Sequence, residues 1–212
     1  MRKWITTSAA LLAMLWAAPA AAQEFGTQGT PALFAERLFG AYISKAEIDL
    51  PNGNEAEANY SGIGLGFRPA GDPDFATPYE MARVGFDYFV IDSLSVGGAL
   101  GYATAQESGD PDTEISRFLI APRVGYVWMF SEVVGFWLRG GFTYHSTNTD
   151  PGDGEEDALA LTGEGMFVIS PTPHFGFIVG PTFDFSLTGE VNNQDLRYRS
   201  FGIVNAGVGG WF

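Results

Sequence analysis

From position 81 onward the chain sorts its side chains by twos. Between Ile115 and Phe130 one face carries Phe118, Ile120, Pro122, Val124, Tyr126, Trp128 and Phe130. The other carries Arg117, Leu119, Ala121, Arg123, Gly125, Val127 and Met129. The same split recurs downstream, with Phe136, Leu138, Phe142 and Tyr144 opposing Trp137, Arg139, Thr143 and His145. In the next segments Phe177, Val179, Phe183 and Phe185 oppose Gly180, Thr182, Asp184 and Ser186. Period two sustained over ten or more residues is the pattern of strands. It predicts strands at roughly 81–90, 94–105, 115–130, 135–147, 158–169, 175–187 and 198–212. Two further alternating segments, 36–49 and 57–68, precede them.

What the two faces are made of decides the environment. A soluble barrel points its apolar face inward and shows water a face rich in Lys, Glu and Thr. Here the second face is mostly Gly, Ala, Ser and Thr. It is punctuated by Arg37, Lys45, Glu47, Arg83, Asp87, Arg117, Arg123, Arg139, Glu164 and Asp184. Small residues with a few opposite charges suit the inside of a narrow barrel, and the bulky face suits hydrocarbon. The expected fold is therefore an all-β, up-and-down antiparallel transmembrane β-barrel.

Seven strands with the last running inward need one more for the even number such barrels use. Segment 36–49 is taken as the first barrel strand and 57–68 as an extra strand within a long outer connection. Eight strands result, with ten as the alternative. Connections at Asp92-Ser93, Ser131–Val134 and Ser170–His174 are short. Those at Glu107–Glu114, Asn148–Asp157 and Thr188–Leu196 are longer and acidic. Short turns belong to the periplasmic side, so the acidic loops are expected outside. Pro122 and Pro181 each remove a donor from a strand ladder, and irregular pairing is expected at both.

The N-terminus is different in kind. Arg2 and Lys3 precede an apolar stretch from Ala9 to Ala18, and Ala20-Ala21-Ala22 follows Pro19. This pattern predicts a secretory signal peptide over 1–22, with cleavage expected after Ala22. The stretch is too short to span a bilayer as a helix. Residues 23–35 are expected as an N-terminal periplasmic segment and 36–212 as the barrel.

Composition narrows the functions. Eleven Lys+Arg stand against 25 Asp+Glu. Loss of the signal peptide removes two of the cations, which disfavours a nucleic-acid partner because neutralising phosphates takes basic residues. No cysteine is present, so thiolate metal sites and a cysteine nucleophile are excluded. No cofactor is expected.

With its export signal, Gly-aromatic strands and terminal Gly207-Val208-Gly209-Gly210-Trp211-Phe212, the chain resembles the small eight-stranded outer-membrane barrels of Gram-negative bacteria. That group contains outer-membrane protein X and the porin-like outer-membrane β-barrel domains. The resemblance implies an outer-membrane location among lipid and lipopolysaccharide. It also implies a C-terminal signal, Val208 and Phe212, for the barrel-assembly machinery. Gly210 departs from the bulkier residue usual there.

Three groups of residues could carry chemistry. Arg83, Asp87, Arg117, Arg123, Arg139, Glu164 and Asp184 come from several strands and are expected as an interior ion network, because unpaired enclosed charges are costly. The competing reading is a pore lining for solutes. His145 resembles the histidine of outer-membrane lipid hydrolases, but Ser146 beside it points to the opposite face of a strand. The acidic run Asp150–Asp157 lacks the spacing of a calcium loop and reads as a solvated surface. The expected function is surface structure, or adhesion through loops to a partner the sequence does not name, without enzymatic activity. The alternatives are a small porin and a lipid A or phospholipid hydrolase using His145.

Overall fold

A computed structural model describes residues 24–49, 55–65, 79, 81–107, 113–150, 154–192 and 194–212. The expected signal peptide, 1–22, lies outside the described residues. So do 66–68 of the expected 57–68 strand and 151–153 of the acidic run.

Among the described residues nine strand segments follow one another: β1 (Pro31–Asp49), β2 (Glu55–Leu65), β3 (Arg83–Ile91), β4 (Leu94–Glu107), β5 (Thr113–Met129), β6 (Val134–Asp150), β7 (Gly154–Thr172), β8 (Phe175–Val191) and β9 (Gln194–Trp211). All pair antiparallel, and β1 also pairs with β9, so the sheet closes on itself. Pairing of the first and last strands is what hydrocarbon demands of a spanning sheet; among the described residues β2 pairs with β1 alone. No helix among the described residues is long and apolar enough to cross a membrane; crossing is by strands.

The strand parity resolves at β1. Its first half, Pro31 to Glu36, pairs with β3, whereas Phe39 to Asp49 pairs with β2. Both partners run antiparallel to β1, so β2 and β3 are the upper and lower halves of one stave. Nine segments thus occupy eight positions around the ring. Segment 57–65 lies within β2, an extra strand segment that pairs along β1 above β3.

The barrel also begins earlier than position 36. Ala32 and Phe34 pair with Trp211 and Gly209 of β9 and face inward, so 31–35 is strand. Before it, residues 24–30 fold into the short-turn mouth. There Gln28 N donates to Asp92 Oδ1 at 2.8 Å, Gly29 N to Phe89 O at 2.8 Å and Ser93 N to Gly26 O at 2.7 Å. Gly26 and Gly29 have φ of 92° and 88°, which only glycine adopts without strain.

At the other end the strands run further than expected. β6 continues to Asp150, β7 starts at Gly154, and β8 and β9 reach Val191 and Gln194. Most of the acidic stretches 148–157 and 188–196 are therefore paired strand arms. Cross-strand hydrogen bonds satisfy the backbone there while polar side chains on both faces meet water.

Both prolines interrupt ladders. Pairing of β5 with β6 skips from Ile120↔Tyr144 to Arg123↔Gly141, and that of β7 with β8 from Glu164↔Thr182 to Phe167↔Val179. Pro122 and Pro181 sit in the two gaps.

The greasy faces look outward. Phe118 and Val124 are 42% and 56% exposed, against 7% for Arg123 and 4% for Glu164. On β6 the apolar outward residues run from Phe136 to Tyr144, about nine residues, the length a tilted strand needs to cross hydrocarbon. Tyr88, Tyr126 and Trp128 ring its lower edge and Tyr102 and Tyr144 its upper edge, as aromatic girdles do.

Candidate functional site: a barrel interior filled in three layers

The lowest layer is aromatic. Phe34, Phe89, Trp137 and Trp211 point in from four strands, and Phe25 inserts among them from the N-terminal turn. Its ring centroid lies 5.1 Å from Phe89, 5.2 Å from Trp137 and 4.9 Å from Trp211. The expected interior of small and charged residues is thus confined to higher levels. Below it the barrel has a dry apolar plug, and one of its rings comes from outside the strands.

The middle layer is ionic. Arg123 clasps Glu36 with Nη1–Oε2 and Nη2–Oε1 at 2.7 and 2.6 Å and reaches Asp87 Oδ2 at 2.5 Å. Arg139 bridges Glu36 Oε1 at 2.6 Å and Glu164 Oε2 at 2.8 Å. Arg83 and Arg37 both meet Glu164 Oε1 at 3.2 Å, and Arg37 also meets Asp184 Oδ2 at 3.0 Å. Thr162 completes the set by donating to Asp184 Oδ1 at 2.7 Å. Arg37, Arg83, Arg123 and Arg139 face Glu36, Asp87, Glu164 and Asp184, four charges against four. Enclosed ions are tolerated when each is paired, and every ion of this layer has an opposite charge beside it, although the Nε atoms of Arg83 and Arg139 are buried without a hydrogen-bond partner. Arg139 also lies 4.5 Å over the Trp137 ring, joining the ionic layer to the aromatic one.

Of the residues expected in the network, Arg83, Asp87, Arg123, Arg139, Glu164 and Asp184 come together here. Arg117 does not; it lies a level higher, near Glu156 and Tyr198. Glu36 was missed, and it is the carboxylate that joins Arg123 to Arg139. Glu36 faces inward in step with Ala32 and Phe34, and a bulge brings Arg37 in beside it. Between Ala35 and Phe39 the register of β1 against β9 shifts, Arg37 takes φ 52°, and Glu36 and Arg37 both turn inward. Two adjacent opposite charges in an apolar strand were the available signal. The shift sets four steps on β1, from Ala35 to Phe39, against two on β9, from Val208 to Ala206, so even positions face inward on both sides of it and Arg37 is the odd position turned in. Lys45 and Glu47, expected on the inner face with Arg37, point outward instead, where Lys45 Nζ pairs with Glu47 and Glu57 at 2.8 Å each. Hydrogen bonds to Glu47 and then Glu57 raise this lysine above its ordinary value and lower both carboxylates.

The upper layer holds Tyr79, His145, Glu156 and Tyr198. His145 is fully enclosed, with Nε2 3.2 Å from Glu156 Oε1, and Tyr198 donates to the same oxygen at 2.9 Å. The backbone carbonyl of Tyr79 accepts from Arg37, tying this layer to the ions below. Ser146 faces the outside, so the structure does not bring it to His145. Among the described residues no group of three or more acidic or histidine side chains could hold a metal ion. A cavity of about 10 Å³ beside Pro122, Arg139 and Glu164 has room for about one water.

No family model matches the chain, and no curated protein matches it. Among solved structures it is similar to Ail, the attachment invasion locus protein of Yersinia pestis, at 11% identity and a TM-score of 0.44, covering 88% of this chain and 100% of that one. It is similar to Neisserial surface protein A at 16% identity and 0.47, covering 86% and 99%. The outer membrane protein OprG from Pseudomonas aeruginosa matches at 12% identity and 0.42, covering 89% and 97%. At such identities and scores these are likenesses of architecture only. The closed antiparallel ring, the outward apolar belt with its aromatic girdles and the enclosed charges stand without them, and they make this chain a transmembrane β-barrel of the outer-membrane type.

Proposed function

We propose that the protein is a closed, non-conducting barrel of the Gram-negative outer membrane whose protruding acidic arms serve surface structure or adhesion. The observation that carries this reading is the filled interior. An aromatic plug, a balanced ion network and a tyrosine–histidine layer succeed one another along the axis, and eight staves leave only enough width for side chains. The arms of β6 to β9 supply the outward-facing surface, with Glu155, Asp157, Glu190 and Asp195 exposed or half-buried on it. Planar-bilayer recording tests the proposal. The expected result is no steady single-channel conductance, and steady channels would favour a porin instead.

Hydrolysis of lipid A or phospholipid through His145 has less support. The imidazole is enclosed within the barrel, whereas a lipid substrate lies outside the wall. The ion network is proposed as a structural plug that also fixes the register of the staves meeting there. Val208 and Phe212 are proposed as the assembly signal; Val208 faces outward on β9, and Phe212 N donates to Pro31 O at 3.2 Å at the closing seam.

A further inference from the structure

The chain divides its cations unevenly. Eight Lys and Arg residues lie in the described part. Five of them, Arg37, Arg83, Arg117, Arg123 and Arg139, point into the barrel. The other three are Lys45, Arg197 and Arg199, and all three face outward on the neighbouring strands β1 and β9. Lys45 sits directly opposite Arg199, and Glu47 opposite Arg197. In a chain with 25 acidic residues, the described cations that are not enclosed form a single patch.

Its height is as telling as its composition. Immediately below, Ile43 pairs with Phe201, both exposed apolar residues of the lipid belt. Arg199 is therefore only about 7 Å along the strand above hydrocarbon-facing residues. Its guanidinium lies 5.6 Å over the ring of Phe185, a belt residue of β8. No carboxylate among the described residues forms an ion pair with Arg199. Lys45 is held in place by Glu47 and Glu57. An outward arginine at the upper rim of the belt stands where phosphates of the outer leaflet stand, and guanidinium binds phosphate through paired, charge-assisted hydrogen bonds.

We infer that Arg197 and Arg199, with Lys45 beside them, form a binding site on the β1–β9 seam for the phosphate-bearing headgroup of an anionic lipid. The inference rests on the membrane reading above. It gives the seam that closes the barrel a lipid clasp at its outer end. On β7 and β8 the outward residues at the corresponding end are Glu155, Asp157 and Glu190, which repel the same headgroup.

The test uses full-length mature protein refolded into phosphatidylcholine vesicles, with and without a quarter of the lipid replaced by phosphatidylglycerol. The temperature at which the compact gel form converts to the extended form is read in each. The wild type is expected to convert at a higher temperature in the anionic vesicles. The Arg197→Gln/Arg199→Gln variant is expected to lose that shift while converting like the wild type in pure phosphatidylcholine. Replacing both arginines by lysine should restore most of it. Inorganic phosphate added to phosphatidylcholine vesicles should leave conversion unchanged. A wild type indifferent to phosphatidylglycerol, a glutamine variant that keeps the shift, or free phosphate reproducing it would each overturn the site. Failure of the wild type to insert into either vesicle would instead overturn the membrane reading on which it stands.

Discussion

Phe25 and Trp211 meet edge-on inside the lower mouth of the barrel, their ring centroids 4.9 Å apart. One precedes the first strand and the other closes the last, so the contact joins the two ends of the described chain. Because β1 and β9 also form the closing seam, sealing the mouth and closing the ring depend on the same residues.

Phe25→Ala should therefore loosen both. Truncating a buried phenylalanine costs about 3–5 kcal/mol. Urea unfolding in vesicles should show a loss of that order, and gel mobility should shift at lower temperature. An unchanged midpoint would show that the turn 24–30 merely lies against the mouth.

Glu36 ties Arg123 and Arg139 together, and its removal leaves two enclosed guanidinium groups short of a partner. Breaking a buried pair from one side costs about 3–5 kcal/mol. Glu36→Ala should thus destabilise strongly. Glu57→Ala, which removes a solvent-facing partner of Lys45, should leave stability nearly unchanged, because water screens an exposed pair. Equal effects in an unfolding titration would contradict the difference in burial.

Gly141 lies where the β5–β6 ladder passes Pro122. A Cβ there would run into the Pro122 carbonyl oxygen and lie 2.8 Å from Arg123 Cα, both backbone atoms that yield little. Gly141→Ala is expected to destabilise by about 1–3 kcal/mol. Gly163→Ala, on the neighbouring strand with nothing within 4 Å of the added methyl, should be nearly neutral. Comparing the two by thermal gel-shift checks the close approach.

His145→Ala should leave any turnover of phospholipid or lipid A at the level of a protein-free control, for variant and wild type alike. Measurable wild-type hydrolysis abolished by the substitution would reverse the non-enzymatic reading.

Removing Phe212 should slow insertion into the outer membrane and leave more chain in the periplasmic fraction. Assembly at the wild-type rate would separate the terminal residue from the signal proposed for it.

Much of this architecture was legible in the order of the residues. Phe118, Val124, Phe183 and Phe185 alternate with Arg123, Thr182 and Asp184, and alternation of that chemistry has one stable solution in a bilayer. The two prolines marked the interrupted ladders for the same local reason, a missing amide. Three things were decided only in three dimensions. The bulge turned Arg37 inward beside Glu36, whereas Lys45 and Glu47 kept the outward parity of the other odd positions of β1, so an alternation read from Arg37 put them on the wrong face. The joining of β2 and β3 into one stave depended on β1 being long enough to pair with both, and alternation within each segment carries no information about that. The docking of Phe25 beside Trp211 required the ring to be closed, since residues at opposite ends of a chain become neighbours only when its first and last strands pair.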